Sequence, residues 1–494
     1  MQIIIRLPIM RLTKPFIVFS FLLFCLIQQT NAQKLSEKKL KQTVISAIDA
    51  KYDELTKLSD QIWGFEEIAF QEIKSAEALA SYAEAQGFTV RRGVADIPTA
   101  LIAEYGTGKP IIAIMGEFDA LPGLSQNTVP EKSPLNMGAA GHGCGHNLFG
   151  VASLGAATAI KELIEKGELK GTVRFYGTPA EEKFFGKLWM IRAGLFDDVD
   201  IMMDWHPSNV TKADVQSSLA LVDFQVEFFG QAAHASADPW NGRSASDALE
   251  LYTDGINMYR EHIKPTVRIH YHIQNAGEVV NVVPDYAKIW TRVRDTSRDG
   301  METVWKQVER MAEGAAIMAN VDYKVKLISG VHEVVVNRTG GQRLHQNLKY
   351  LGEIEFTDEE TDFAKKIQSA TGKPEIGMDT KISDSIEETL ENPGGGSSDV
   401  GDVSWVVPTV RLRATVAPAG TPWHSWAVVA CSGMSIGHKG MIHATKALAM
   451  TMVDLFKEPK LRNEVKAEWE ERVGDYQYKG IVPDGPAPIS GVNE

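Results

Sequence analysis

Residues 141–147 read Gly-His-Gly-Cys-Gly-His-Asn. Cys144 and His146 set a soft thiolate and an imidazole two positions apart, a tight pair of transition-metal ligands. Further ligating side chains stand at Glu181-Glu182, His206 and His424. A hydrolytic centre built from such residues needs a Lewis acid and a general base. Glu181 and Glu182 suit that division, because in an irregular loop one carboxylate can ligate a metal while its neighbour holds a proton. Asp204 stands two positions before His206 and can orient its ring. Taken singly, each residue also has an ordinary reading. Adjacent carboxylates are mostly solvated, and a lone histidine after a strand is mostly packed or exposed. His438 and His443, five apart on an expected helix, do not share a face and read as ordinary helix residues.

The surrounding pattern says how such groups meet. Apolar runs at 111–115, 172–176 and 199–203 read as buried strands, with a helix over 148–165 between the first two. Residues 36–90 read as interrupted helix, including a segment over 74–86 stopped by Gly87. Strands alternating with helices imply an α/β fold, a mainly parallel mixed sheet flanked by helices. Glu117 and Asp119 follow the first run, Glu181-Glu182 the second, and Asp204 and His206 the third. Ligands of open α/β sheets bind beyond the carboxyl ends of the strands, so one crevice can collect all of these groups.

A second pattern follows: strand 224–229, helix 244–261, strands 266–274 and 287–294, helix 301–318 and strand 321–327. This βαββαβ order is that of a small split sandwich. It predicts a lid or dimerisation domain over 223–339, inserted into a catalytic domain made of 33–222 and 340–494. Beyond Thr339 the chain is acidic and reads as irregular. Strands are expected at 403–407 and 409–414, and a closing helix over 438–456.

The 494 residues are 44% hydrophobic and 23% charged, with a net charge of −13. Such a surface argues against nucleic acid or an anionic membrane as partner. Arg11 and Lys14 precede an apolar run at 16–27, too short to span a bilayer, and Thr30-Asn31-Ala32 is an acceptable cleavage context. Residues 1–32 therefore read as a signal peptide, and the mature protein as periplasmic or secreted, without stable membrane association. Cys25 leaves with the signal. Cys144 and Cys431 remain, and a disulfide between them is the alternative to a metal-bound thiolate.

Several segments occur in a telling order. They are Gly116-Glu117-Phe118-Asp119-Ala120-Leu121-Pro122, the 142–147 stretch, Thr178-Pro179-Ala180-Glu181-Glu182 and Asp204-Trp205-His206-Pro207. Ala233-His234-Ala235-Ser236, Asn281-Val282-Val283-Pro284-Asp285 and His424-Ser425-Trp426 follow. Together they resemble the M20 metallopeptidase family, in its amidohydrolase/aminoacylase branch. The resemblance implies hydrolysis of the amide bond of an N-acyl amino acid, with p-aminobenzoyl-glutamate first and other N-acyl amino acids or dipeptides as alternatives. It implies two divalent metal ions, Mn2+ or Zn2+, on Cys144, His146, Glu182, His206 and His424. Glu181 becomes the general base, and Asp119 the residue that orients a metal-ligating side chain. Glu117 stands where other branches place a histidine ligand, and Asn147 where many relatives have aspartate. His234 becomes a donor to the oxyanion in a neighbouring subunit's site, and Asn281 and Arg294 contacts for the substrate's carboxylate end. The implied assembly is a homodimer, or a heterodimer with a related A-type subunit on which a non-catalytic chain would depend.

Overall fold

Every residue of strands β3 (Ile111–Gly116) and β4 (Gly171–Gly177) is buried, as expected of strands covered on both faces. The computed structural model to which they belong describes residues 36–384, 386 and 396–489. The expected signal peptide lies outside the described residues. β3 and β4 pair in parallel, as do β3 with β5 (Ile201–Ser208) and β5 with β11 (Thr409–Thr415). The seven-stranded sheet runs β1-β2-β4-β3-β5-β11-β6. Its margins are antiparallel: β1 (Thr89–Arg92) on β2 (Leu101–Thr107), β2 on β4, and β6 (Lys212–Ala213) on β11. The fold is mixed α/β, with a parallel centre.

Helices α1 (Glu37–Ala50), α2 (Tyr52–Phe65) and α3 (Ile73–Ala85) form the amino-terminal layer. α4 (His146–Glu165) is buried along almost its whole length. Its glycines permit that packing: a Cβ at Gly150 would lie 2.9 Å from the Glu117 carbonyl oxygen. A short helix, α5 (Lys187–Arg192), follows β4.

The second layer is a four-stranded antiparallel sheet, ordered β10-β7-β9-β8. It comprises β7 (Ala220–Phe229), β8 (Arg268–Asn275), β9 (Tyr286–Asp295) and β10 (Asp322–Val331). Helices α6 (Ala245–Tyr259) and α7 (Arg298–Ala319) cover one face. Phe224, Phe228, Leu249, Tyr252, Ile289 and Val308 build a core separate from that of the larger sheet. Burial alternates along β9 with period two, so Arg292 and Arg294 share the face opposite Val293.

Past β10 the structure departs from the sequence expectation. The acidic stretch contains two helices, α8 (Arg338–Leu351) and α9 (Asp358–Ala370). The second opens on a reciprocal capping box between Thr357 and Glu360. Residues 403–407, expected as a strand, belong mostly to α10 (Val400–Val406). Val400, Val403 and Val407 are buried at helical spacing, and Gly401 packs so closely that a Cβ would lie 2.0 Å from the His332 carbonyl oxygen. Short apolar runs of this kind carry no period that separates helix from strand. α11 (Trp426–Ser432), α12 (Ser435–Lys457) and α13 (Pro459–Val473) complete the helices.

Residues 474–489 then cross between the two cores. Ile481 enters the lid core, and the Gly330 amide donates to its carbonyl at 2.7 Å. Tyr478, Val482 and Ile489 pack on the larger core. Tyr476 stacks on the Arg298 guanidinium, 3.4 Å from ring centroid to Cζ. No helix among the described residues is long and apolar enough to cross a membrane.

Candidate metal centre and its cavity

The carboxyl ends of the parallel strands deliver the candidate groups. β3 ends at Gly116 and hands over Glu117, Phe118 and Asp119. β4 ends at Gly177, and four residues on come Glu181 and Glu182. Between them Ala180 has a left-handed φ of 61°. Glu72 accepts the Ala180 amide at 2.9 Å, and the Phe185 amide donates to the Ala180 carbonyl at 2.8 Å. The strained turn is thus held from both sides. His206 lies within β5 itself.

The Cys144 loop is placed by glycine. Gly145 has φ 76°, which a side chain disfavours, and a Cβ there would lie 3.0 Å from Pro207 Cβ. The loop therefore sits against the segment carrying His206. His424, itself at φ 55°, donates its amide to the Gly143 carbonyl at 3.1 Å.

These placements sort the ligating atoms into two groups. Glu117, His146 and His206 form one, Cys144, Glu182 and His424 the other, with ligand atoms within 4.8 Å of one another in each. Cys144 and His146, neighbours in sequence, fall into different groups. Glu181 and Glu182 make a further combination with His146, which puts Glu181 beside both. Glu117 Oε2 approaches His146 Nε2 at 3.0 Å and His206 Nε2 at 3.5 Å. Neither Glu117 Oε2 nor His146 Nε2 makes a hydrogen bond, and both are buried, as is the unpartnered Glu182 Oε1. Orphaned buried donors and acceptors that converge in this way fit bound cations, and S, N and carboxylate O together form a transition-metal donor set.

Second partners orient the ligands. Asp119 Oδ1 accepts from His146 Nδ1 at 2.9 Å, and Asp119 Oδ2 accepts the Glu182 amide at 2.9 Å. Asp204 Oδ2 lies 3.6 Å from His206 Nδ1. Burial pushes the Cys144 thiol up to about 12, against the opposing pull of His146. Burial, then the carboxylates of Glu117, Glu182 and Asp399, pushes Glu181 well above the usual carboxylate range. Burial also lifts Glu182 to about 7, His146 opposing.

A cavity of about 500 Å³ is lined by the whole Cys144 group and by His206 of the other. Cys144, Glu181, Glu182, His206 and His424 line its floor, and Arg292 and Arg294 of the lid line a wall. Arg292 pairs with Asp223 at 2.5 Å. Arg294 has no hydrogen-bond or ion-pair partner among the described residues, and its Nε is buried. Burial, and the neighbouring Arg292, depress its pKa. An unpaired, partly buried guanidinium in a cavity wall is a receptor for a carboxylate. Arg411 and Arg413 of β11 also reach the cavity, both tied to Asp214.

The chain belongs to peptidase family M20/M25/M40. The family's model matches residues 113–367, which span the Glu117, Cys144, Glu181 and His206 segments and the four-stranded sheet. The B-type subunit of p-aminobenzoyl-glutamate hydrolase from Escherichia coli strain K12 is 37% identical over 476 residues, covering 91% of this chain and 99% of that protein. The human Xaa-Arg dipeptidase is 27% identical, covering 90% of this chain and 95% of that one. A solved dinuclear metal binding peptidase of the M20 family from Bacillus subtilis shares the fold, with a TM-score of 0.56 and 19% identity over 83% of this chain and 99% of that one. The protein is thus a hydrolase of a family that acts on amide bonds.

Two sequence candidates stand away from the cavity lining. His234 and Asn281 are exposed on adjoining lid loops, joined by the Ala235 amide to the Asn281 carbonyl at 3.0 Å. The Ser236 and Ala237 amides both donate to His234 Nδ1 at 3.2 Å. The proton of the neutral ring is thereby placed on Nε2, which makes that outward atom a donor. Asn147 does not face the metal groups. Its amide donates to Ser59 Oγ and the Ser432 carbonyl, each at 3.0 Å. Cys144 and Cys431 are separate free thiols. His438 pairs with Asp60 and His443 with the Gly352 carbonyl, so both are ordinary helix residues.

Sequence reasoning missed two groups. Lys187, with no exposed side-chain area, lies 2.6 Å from Glu117 Oε1 and 2.5 Å from Asp399 Oδ1. Asp399 also accepts the Lys187 amide at 2.9 Å. Nothing local marks Lys187, five residues past a carboxylate pair in an otherwise ordinary segment.

Proposed function

We propose that this chain hydrolyses the amide bond of an N-acyl amino acid, with p-aminobenzoyl-glutamate as first substrate. The observation that carries this reading is the cavity, where Cys144, Glu181, Glu182, His206 and His424 share one lining with the unpaired Arg294. The 37% identity to the Escherichia coli p-aminobenzoyl-glutamate hydrolase chain supports the choice of substrate.

Glu117, His146 and His206 would hold one divalent ion, and Cys144, Glu182 and His424 the other. Zn2+ suits the thiolate and imidazoles, and Mn2+ the carboxylates. Such ions, when bound, supply Lewis acidity and a nucleophilic water at neutral pH. Glu181, beside both ligand groups, takes the proton of the attacking water. It returns that proton to the amide nitrogen as the C–N bond breaks. Arg294 grips the carboxylate of the amino-acid half and sets the scissile carbonyl over the floor of the cavity. Asn281 and His234 act from the lid of a partner subunit, His234 donating Nε2–H to the oxygen that gains charge. Their exposure away from the cavity lining supports this reading, as do the apolar Val280 (99% exposed) and Trp240 (76% exposed) on the same lid loops. The partner is a second copy or a related A-type subunit. The segment 1–32 would direct the protein to the periplasm or the medium, where it would scavenge such amides.

Release of glutamate from p-aminobenzoyl-glutamate, measured beside a panel of acyl-amino acids and dipeptides, tests the reading. Metal-reconstituted protein that cleaves none of them overturns it. Activity of the purified chain alone separates a homodimer from dependence on a partner.

A further inference from the structure

Three buried carboxylates, Glu117, Glu181 and Asp399, bring oxygen atoms within 4.8 Å of one another. This is a third acidic group beside the two ligand sets, and it already contains a cation. Lys187 Nζ lies between Glu117 Oε1 and Asp399 Oδ1, and all three side chains have 0% exposure. Three unscreened carboxylates at this depth would not stay charged together, and the ammonium compensates them.

Its geometry does more than balance charge. Glu117 uses Oε1 for Lys187 and leaves Oε2 without a hydrogen bond, turned toward His146 Nε2 and His206 Nε2. Asp399 accepts the Lys187 ammonium on one oxygen and the Lys187 amide on the other, so both of its oxygens are already engaged by the lysine. We infer that Lys187 is a positioning residue: it selects the single Glu117 oxygen offered to the metal and withholds Asp399 from it. The inference rests on the metallohydrolase reading above.

Lys187→Met removes the ammonium at similar length. If the lysine acted through charge alone, its loss would tighten cation binding at Glu117. Positioning requires the opposite. Titration of the metal-free protein with Co2+ follows the two sites separately, because the near-ultraviolet thiolate band reports the Cys144 site. The expected result is a 10- to 100-fold weaker ion at the Glu117 site, on the scale of lost orienting partners. The Cys144 site should change by less than about 3-fold, and kcat should fall with KM little changed. In a Glu117→Gln background the Lys187→Met effect on affinity should vanish, because the lysine acts through that carboxylate.

Unchanged or tighter binding at the Glu117 site in Lys187→Met overturns the inference. A crystal structure of the metal-loaded wild-type protein tests it without any variant: Glu117 should ligate through one oxygen with the other on Lys187 Nζ, and a bidentate Glu117 overturns it. If the wild-type protein itself binds no metal or cleaves no amide, the metallohydrolase reading fails instead. Wild-type activity with two tight ions in Lys187→Met sinks the lysine's role alone.

Discussion

Asp119 and His146 are locked ring to carboxylate at 2.9 Å, and the other oxygen of Asp119 holds the Glu182 amide at the same distance. One buried aspartate therefore sets a ligand in each of the two groups. Asp119→Ala frees both. The ion at the Glu117, His146 and His206 group is expected to bind 10- to 100-fold more weakly, the scale for a lost orienting partner. Calorimetric titration of the metal-free protein checks this.

Glu181→Gln keeps the shape of the side chain and removes its basicity. Turnover should fall roughly 10²- to 10⁴-fold, the usual contribution of a general base. Metal content by elemental analysis should stay at the wild-type value, because Glu181 is the base in this scheme and Glu182 the ligand.

Arg294→Ala should raise KM for a carboxylate-bearing substrate roughly 10- to 100-fold, as expected for loss of charge-assisted hydrogen bonds. The same substrate with its carboxylate amidated should be hydrolysed equally by the variant and the wild-type protein. Steady-state kinetics on the acid and amide pair decide the point.

His234 offers a separate test of assembly. His234→Ala and Glu181→Gln should each be nearly inactive as homodimers. Mixed after dissociation, they should recover about a quarter of wild-type activity, since half the dimers are mixed and each holds one intact site. No recovery would place His234 in its own subunit's site or outside the chemistry.

His443 bears on stability. Its ring is buried against the Gly352 carbonyl, and burial lowers its pKa to about 4. The unfolded chain binds that proton near pH 6.5, so the native state is disfavoured as pH falls from about 6.5 to about 4. The loss is on the order of 3 kcal/mol from this one group. Chemical denaturation at a series of pH values should show that slope, and His443→Gln should flatten it.

The groups that follow strand ends were legible because the α/β alternation shows where each strand stops. β3, β4 and β5 carry Glu117, Glu181-Glu182 and His206 toward one end of one sheet. Arg294 was reached only through the family resemblance, and the alternation along β9 sets it on the face opposite Val293. The assignment of Cys144 and His146 to different groups was not legible, because a spacing of two residues does not say which ligand set each side chain joins. Lys187 was not legible either. Its partners lie 70 and 212 residues away, and no local pattern encodes a meeting across that distance. Asn147, a departure from the family pattern, turns out to tie α4 to Ser59 and Ser432 rather than to serve the metals.

The pairing of β11 with β5 has a consequence for the nascent chain. Thr409 meets Met202, and the whole lid is synthesised between them. While residues 220–331 emerge, β5 stands as an open edge, with the backbone groups of Met202–Ser208 lacking the strand that later pairs with them. An exposed strand of that kind is a template for wrong pairing. The ribosome-bound chain thus passes through a stage in which the five strands from β1 to β5 can pair while the edge of β5 still waits for β11.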